Sequence, residues 1–91
     1  MNFHHTHVSP LAKQFVGETL DSGWLSEGKK VKEFEHELSK LGLSYPVAVN
    51  SGTSALHLAL AMVGVGPNDE VILPPQTFVA TGMAILMCGA I

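Results

Sequence analysis

Ninety-one residues and 9.7 kDa allow one small domain or a piece of a larger one. Five Lys plus Arg against eight Asp plus Glu give a net charge of −3, with no basic stripe to neutralise phosphates, so nucleic acid is not an expected partner. Charged residues are 14% of the chain, against about 25% in an average domain, while apolar residues reach 46%; this is the composition of an interior.

A single cysteine, Cys88, excludes an internal disulfide and fits a reducing compartment. The nearly apolar stretch from Val79 to Ile91 is too short to span a bilayer and contains Thr81 and two glycines. The first residues have neither the cationic start nor the long apolar core of a signal peptide, so the expected location is the cytoplasm.

In chain order, residues 1–8 read as a solvated, flexible terminus. Ser9-Pro10 predicts a helix entry, because serine caps free N–H groups and proline fits the first helical position. That helix should run from Pro10 to Leu20 and stop at Asp21-Ser22-Gly23. The segment Trp24-Leu25-Ser26-Glu27-Gly28 reads as a loop of defined shape. Val31, Phe34, Leu38 and Leu41 then recur at helical spacing, with Lys32, Glu33, His36, Glu37 and Lys40 on a solvated face, and Gly42 ends the helix.

Val47-Ala48-Val49 predicts a short strand, followed by a turn at Ser51-Gly52-Thr53-Ser54 and a helix through Val63. Every residue of that helix from Ala55 onward is apolar except His57, so it needs cover on nearly all sides. Gly64 to Asp69 reads as a turn, Glu70-Val71-Ile72-Leu73 as a second strand broken by Pro74-Pro75, and Thr77 to Cys88 as a third apolar helix ended by Gly89. Short apolar strands alternating with buried helices predict an α/β layer with a largely parallel sheet. Two strands and the stub of a third cannot cover two apolar helices. The expectation is therefore the amino-terminal portion of a larger enzyme domain.

The strongest local signal for chemistry is Asn50-Ser51-Gly52-Thr53-Ser54, where a strand's carboxyl end meets a helix's amino end. Unpaired N–H groups and the helix dipole favour an anion there, Gly52 permits close approach, and three hydroxyls add donors. A phosphate would fit. Simple capping of a structural helix by Ser51 is the equally weighted alternative. Gln76-Thr77-Phe78, at the other strand-to-helix junction, should emerge on the same sheet edge, where Phe78 either joins the core or lies flat against an aromatic ring.

These residues resemble a known family. Val47 to Leu56, Gly64 to Ile72, Thr77 to Thr81 and Gly89-Ala90, with Ser22 to Gly28 and Phe34-Glu35 upstream, are similar in order and spacing to the amino-terminal part of the DegT/DnrJ/StrS sugar aminotransferases. The resemblance implies the fold-type-I large domain, three layers with helices flanking a mostly parallel sheet, and pyridoxal 5′-phosphate as cofactor. By resemblance, Thr53 and Ser54 bind the cofactor phosphate with Gly52 allowing the approach, Phe78 stacks on the pyridine ring, and Trp24 lies near the sugar site. A homodimer is implied, as is transfer of an amino group from glutamate to a nucleotide-linked keto-sugar for polysaccharide synthesis. Asn68 stands where the family usually has glycine; asparagine tolerates the left-handed backbone, so the turn should survive.

The same chemistry needs a lysine that bonds covalently to the cofactor and a carboxylate facing the pyridine nitrogen. Lys13, Lys29, Lys30, Lys32 and Lys40 all precede the phosphate loop and match no family lysine; Asp21 and Asp69 sit at turns. No catalytic residue is assigned within these 91 residues, and the stretch alone should be inactive. A sugar dehydratase with histidine in place of the lysine, or a lysine-less binding or regulatory relative, stands as the alternative.

Other patterns carry less. Gly23 to Lys30 satisfies GxxxxGK but has Lys30 where magnesium needs a hydroxyl, and a helix where the motif needs a strand. His4, His5 and His7 lack a carboxylate or cysteine to complete a metal site. His57 reads as a hydrogen-bonded core histidine, Met62, Met83 and Met87 as core filler, and Cys88 as inert.

Overall fold

The computed structural model describes residues 6–91, so His4 and His5 lie outside the described residues. The chain divides into two compact units, one reaching Ala48 and one spanning Val49–Ile91.

The first unit holds α1 (Pro10–Asp21) and α2 (Lys29–Lys40). Ser9 caps α1 as expected: its Oγ accepts the Ala12 N–H at 3.2 Å, and Pro10 occupies the position where a missing donor costs nothing. The helix stops at Ser22 and Gly23, whose φ of +70° suits glycine. Across the two helices Lys30 Nζ meets Glu18 Oε2 at 3.0 Å and stands 4.5 Å from the Phe15 ring centre. Lys32, Glu33, His36, Glu37 and Lys40 are all exposed, in agreement with the solvated face. The opposite stripe is only half-covered, with Val31 and Leu38 partly buried but Phe34 and Leu41 exposed.

The second unit holds α3 (Gly52–Met62) and α4 (Ala80–Met87), which pack against each other. Both end in the same way. Gly64 (φ +86°) follows α3 and the Val65 N–H reaches back to the Leu60 carbonyl; Gly89 (φ +77°) follows α4 and the Ala90 N–H reaches the Ile85 carbonyl. These six-to-one bonds satisfy carbonyls that a helix end otherwise leaves open. Ala80, Ala84, Ile85 and Ala90 form the buried core, with Leu73 against Gly82 and Pro67 against Gly89.

Three expectations are corrected. Among the described residues no strand forms at 47–49 or 70–73, because a strand exists only as part of a ladder and these segments find little to pair with. One parallel exchange is present: the Ile91 N–H donates to the Asp69 carbonyl at 2.9 Å and the Val71 N–H donates to the Ile91 carbonyl at 2.8 Å, setting Glu70 opposite Ile91. The last helix begins at Ala80 rather than Thr77. Val79 offers no side-chain cap, and Thr77 instead pairs its hydroxyl with that of Thr81 at 2.9 Å. Finally, Met62, Met83 and Met87 are exposed rather than core, and α3 has no buried residue. Its apolar circumference is larger than α4 alone can cover.

Candidate functional site

The turn into α3 is organised by its own side chains. Ser51, with φ −160° and ψ 157°, is the N-cap, and its Oγ accepts the Ser54 N–H at 3.1 Å. The Ser51 hydroxyl donates to Ser54 Oγ at 2.9 Å, and the Ser54 hydroxyl donates to Asn50 Oδ1 at 2.8 Å. The capping alternative is thus realised, and it engages Ser51 and Ser54 together.

What capping leaves over is a donor set. Among the described residues the amides of Gly52 and Thr53 and the Thr53 hydroxyl have no hydrogen-bond partner. No acidic side chain stands in the first turn of α3 to occupy the positive end of its dipole. A Cβ built on Gly52 meets nothing within 4 Å, so the backbone is open to a ligand. Two adjacent amides, a hydroxyl and a helix terminus together suit a tetrahedral anion.

Phe78 lies in the same unit, just ahead of α4, and is 77% exposed, so the core alternative for its ring is not realised here. Its carbonyl accepts the Thr81 N–H at 3.0 Å. The hydrogen bonds of this turn and of the Asn50–Ser54 turn are separate.

In the first unit Trp24 sits in a self-tied loop. Its amide donates to Ser22 Oγ at 3.2 Å, its indole N–H donates to the Glu27 carbonyl at 2.8 Å, and Ser22 Oγ donates to the Thr19 carbonyl at 2.7 Å. The ring remains 63% exposed. The GxxxxGK resemblance fails on its context, since the residues before Gly23 are α1 and Gly28 is the N-cap of α2.

Several ionisable groups pair locally. Lys30 holds the Glu18 carboxyl below the usual range, helped by Gln14, and Glu18 raises the Lys30 ammonium in return. Lys40 lowers Glu37, at 2.6 Å. Lys29 pairs with Glu33 along α2. Asp69 stays a turn residue, its Oδ2 accepting the Gly66 N–H at 2.8 Å beside Asn68 at φ 73°, so the left-handed asparagine turn does survive. His57 is corrected: it is half-buried, and its carbonyl, not its imidazole, takes part in a contact, with Cys88 Sγ at 4.0 Å.

Sequence reasoning missed one functional-looking bond. Glu35 Oε1 accepts the Ala48 N–H at 2.8 Å, across 13 positions. The available signal was a carboxylate lying near the apolar stripe of α2 rather than on its solvated face.

Comparison with known proteins identifies the family. The sequence profile of the DegT/DnrJ/EryC1/StrS aminotransferase family matches residues 9–91. The chain is 54% identical over 78 residues to the spore coat polysaccharide biosynthesis protein SpsC of Bacillus subtilis (strain 168), covering 85% of this chain and 20% of that protein. It is 41% identical over 80 residues to GDP-perosamine synthase of Caulobacter vibrioides, covering 86% and 22% respectively. The crystal structure of the aminotransferase TlmJ from Streptoalloteichus hindustanus superposes with a TM-score of 0.78 at 37% identity, over 92% of this chain and 24% of that one. The chain thus spans about a fifth of the length of the curated relatives it matches. With the profile matched over nearly its whole length, the chain belongs to the DegT/DnrJ/EryC1/StrS aminotransferase family.

Proposed function

We propose that these 91 residues are the amino-terminal part of the large domain of a pyridoxal-phosphate-dependent enzyme that transfers an amino group, from glutamate, to a nucleotide-linked keto-sugar. Family membership and the sugar-linked names of the relatives support the reaction class. The observation that carries the cofactor reading is the uncommitted donor set of the Gly52 amide, the Thr53 amide and the Thr53 hydroxyl at the start of α3.

Those donors fit a phosphate monoester: they are adjacent, they lie at a helix terminus, and no acidic side chain stands in the first turn of α3. Gly52 and Thr53 would hold the phosphate. Phe78, uncovered on the turn before α4, would lie against the pyridine ring. Bound there, the cofactor supplies the electron sink that lets an amino group pass between donor and acceptor. The lysine and the carboxylate that this chemistry requires would come from outside these 91 residues, since none of Lys13, Lys29, Lys30, Lys32 and Lys40 matches the family's lysine and Asp21 and Asp69 sit at turns. Trp24, on its tied loop, would shape the mouth through which the sugar enters, in a homodimer.

The test is cofactor uptake by the full-length protein. It should bind pyridoxal phosphate and lose that binding when Thr53→Glu puts a carboxylate among the donors. Uptake that survives Thr53→Glu unchanged would overturn the reading.

A further inference from the structure

We propose that the open groove between α1 and α2 is the seat of an apolar segment from the part of the same polypeptide that lies outside these 91 residues. The inference rests on family membership and is independent of the cofactor reading.

The groove lies wholly within the first unit and has a volume of about 600 Å³. Phe15, Val16 and Leu20 line it from α1 and Phe34 from α2, with exposures of 48, 59, 58 and 55%. No residue of either helix is buried. The two helices are therefore a pair without a core, and large apolar side chains left in water on both walls of one groove mark a surface built to be covered.

Charge does not choose the occupant. The charged groups lining the groove are Lys30, Glu33 and Glu37; Lys30 meets Glu18 at 3.0 Å and Glu33 at 3.7 Å, and Glu37 meets Lys40 at 2.6 Å. Each is already paired, so what remains to be satisfied is apolar. A second copy fits poorly, because a twofold contact sets the same surface on both sides, and two grooves face to face enclose a void instead of filling one. The chain spans about a fifth of the length of its curated relatives, so the larger part of each lies outside the shared stretch. A segment of that remainder is tethered to the groove and reaches it without recruiting another molecule.

The test puts a photoreactive side chain, p-benzoylphenylalanine, into the full-length protein in place of Val16, and separately in place of Lys32, which stands on the exposed face of α2. Irradiation, digestion and mass spectrometry should join position 16 to a peptide outside these 91 residues, in a product with the mass of one chain, and position 32 should not give that link. A product of twice that mass, a link confined to these 91 residues, no link at position 16, or the same link from position 32 would overturn the proposal. Val16→Asp reads the groove without a probe. It should lower the thermal midpoint of the full-length protein by about 2 °C or more, since a carboxylate is carried into an apolar seat, whereas Lys32→Gln should leave it within about 1 °C. A midpoint that Val16→Asp leaves unmoved would also overturn the proposal.

Discussion

The indole of Trp24 lies directly over the backbone of Gly28. A Cβ at position 28 would fall 2.7 Å from Trp24 Cδ1 and 2.8 Å from Nε1, closer than any real carbon contact. Gly28 has an extended backbone, with φ −160°, so its need for glycine is steric and not conformational. The indole cannot simply swing aside, since its N–H is held by the Glu27 carbonyl at 2.8 Å.

Gly28→Ala should therefore expel the ring and free that N–H. The expected outcome is faster solvent exchange of the indole proton by at least about tenfold, the equivalent of losing one hydrogen bond of roughly 1.4 kcal/mol, read by NMR on the Trp24 side chain. The amides of α3 should not change. An indole proton exchanging at its original rate would mean the ring finds another seat on the loop.

The Lys30–Glu18 bridge gives a pH dependence with a defined sign. Glu18 has a folded carboxyl below its ordinary value, chiefly through the hydrogen bond from Lys30. Its contribution is fully present above the ordinary carboxylate range and is lost as pH falls through the lowered value. Lys30, raised by the same bond, loses its contribution only as pH climbs through the raised value. Both side chains are largely exposed, so the effect on stability is small. The check is a carboxyl NMR titration: Lys30→Met should return Glu18 toward ordinary behaviour and leave Glu37, which pairs with Lys40, where it was.

Position 68 separates two kinds of residue. Asn68 has φ 73° in a turn closed by Asp69 in both directions, its N–H to the Gly66 carbonyl at 3.1 Å and its carboxylate to the Gly66 N–H at 2.8 Å. Asn68→Gly should be neutral or slightly stabilising, whereas Asn68→Val should cost about 1–2 kcal/mol, because a β-branched side chain collides in the left-handed region. Denaturant midpoints of the full-length protein would show the difference.

How much of this was legible in the sequence follows the range of each interaction. Ser9-Pro10 and Ser51 announced helix starts, and Gly23, Gly64 and Gly89 announced ends, because caps are settled within a few residues. The strands at 47–49 and 70–73 are not realised because pairing is non-local, and among the described residues only Glu70 opposite Ile91 meets a partner in the ladder pattern. At the candidate site, the hydroxyls of Ser51, Thr53 and Ser54 looked equivalent as letters. Their different fates depend on the acceptor at Asn50 Oδ1, which selects Ser54 and leaves Thr53 unpaired.

Glu35 was the least legible, since its partner is a backbone group on another segment. Its carboxylate accepts the Ala48 N–H at 2.8 Å, and both residues are half-buried, so the amide has limited access to water as a substitute. Removing the acceptor should leave a donor whose desolvation is uncompensated, at about 1–3 kcal/mol. Glu35→Leu is expected to lower the thermal midpoint of the full-length protein and to speed hydrogen exchange at the Ala48 amide. Glu35→Gln keeps a carbonyl oxygen in reach and should recover most of both. If Leu and Gln behave alike, the bond contributes nothing, and the acidic side chain serves only the solubility of α2.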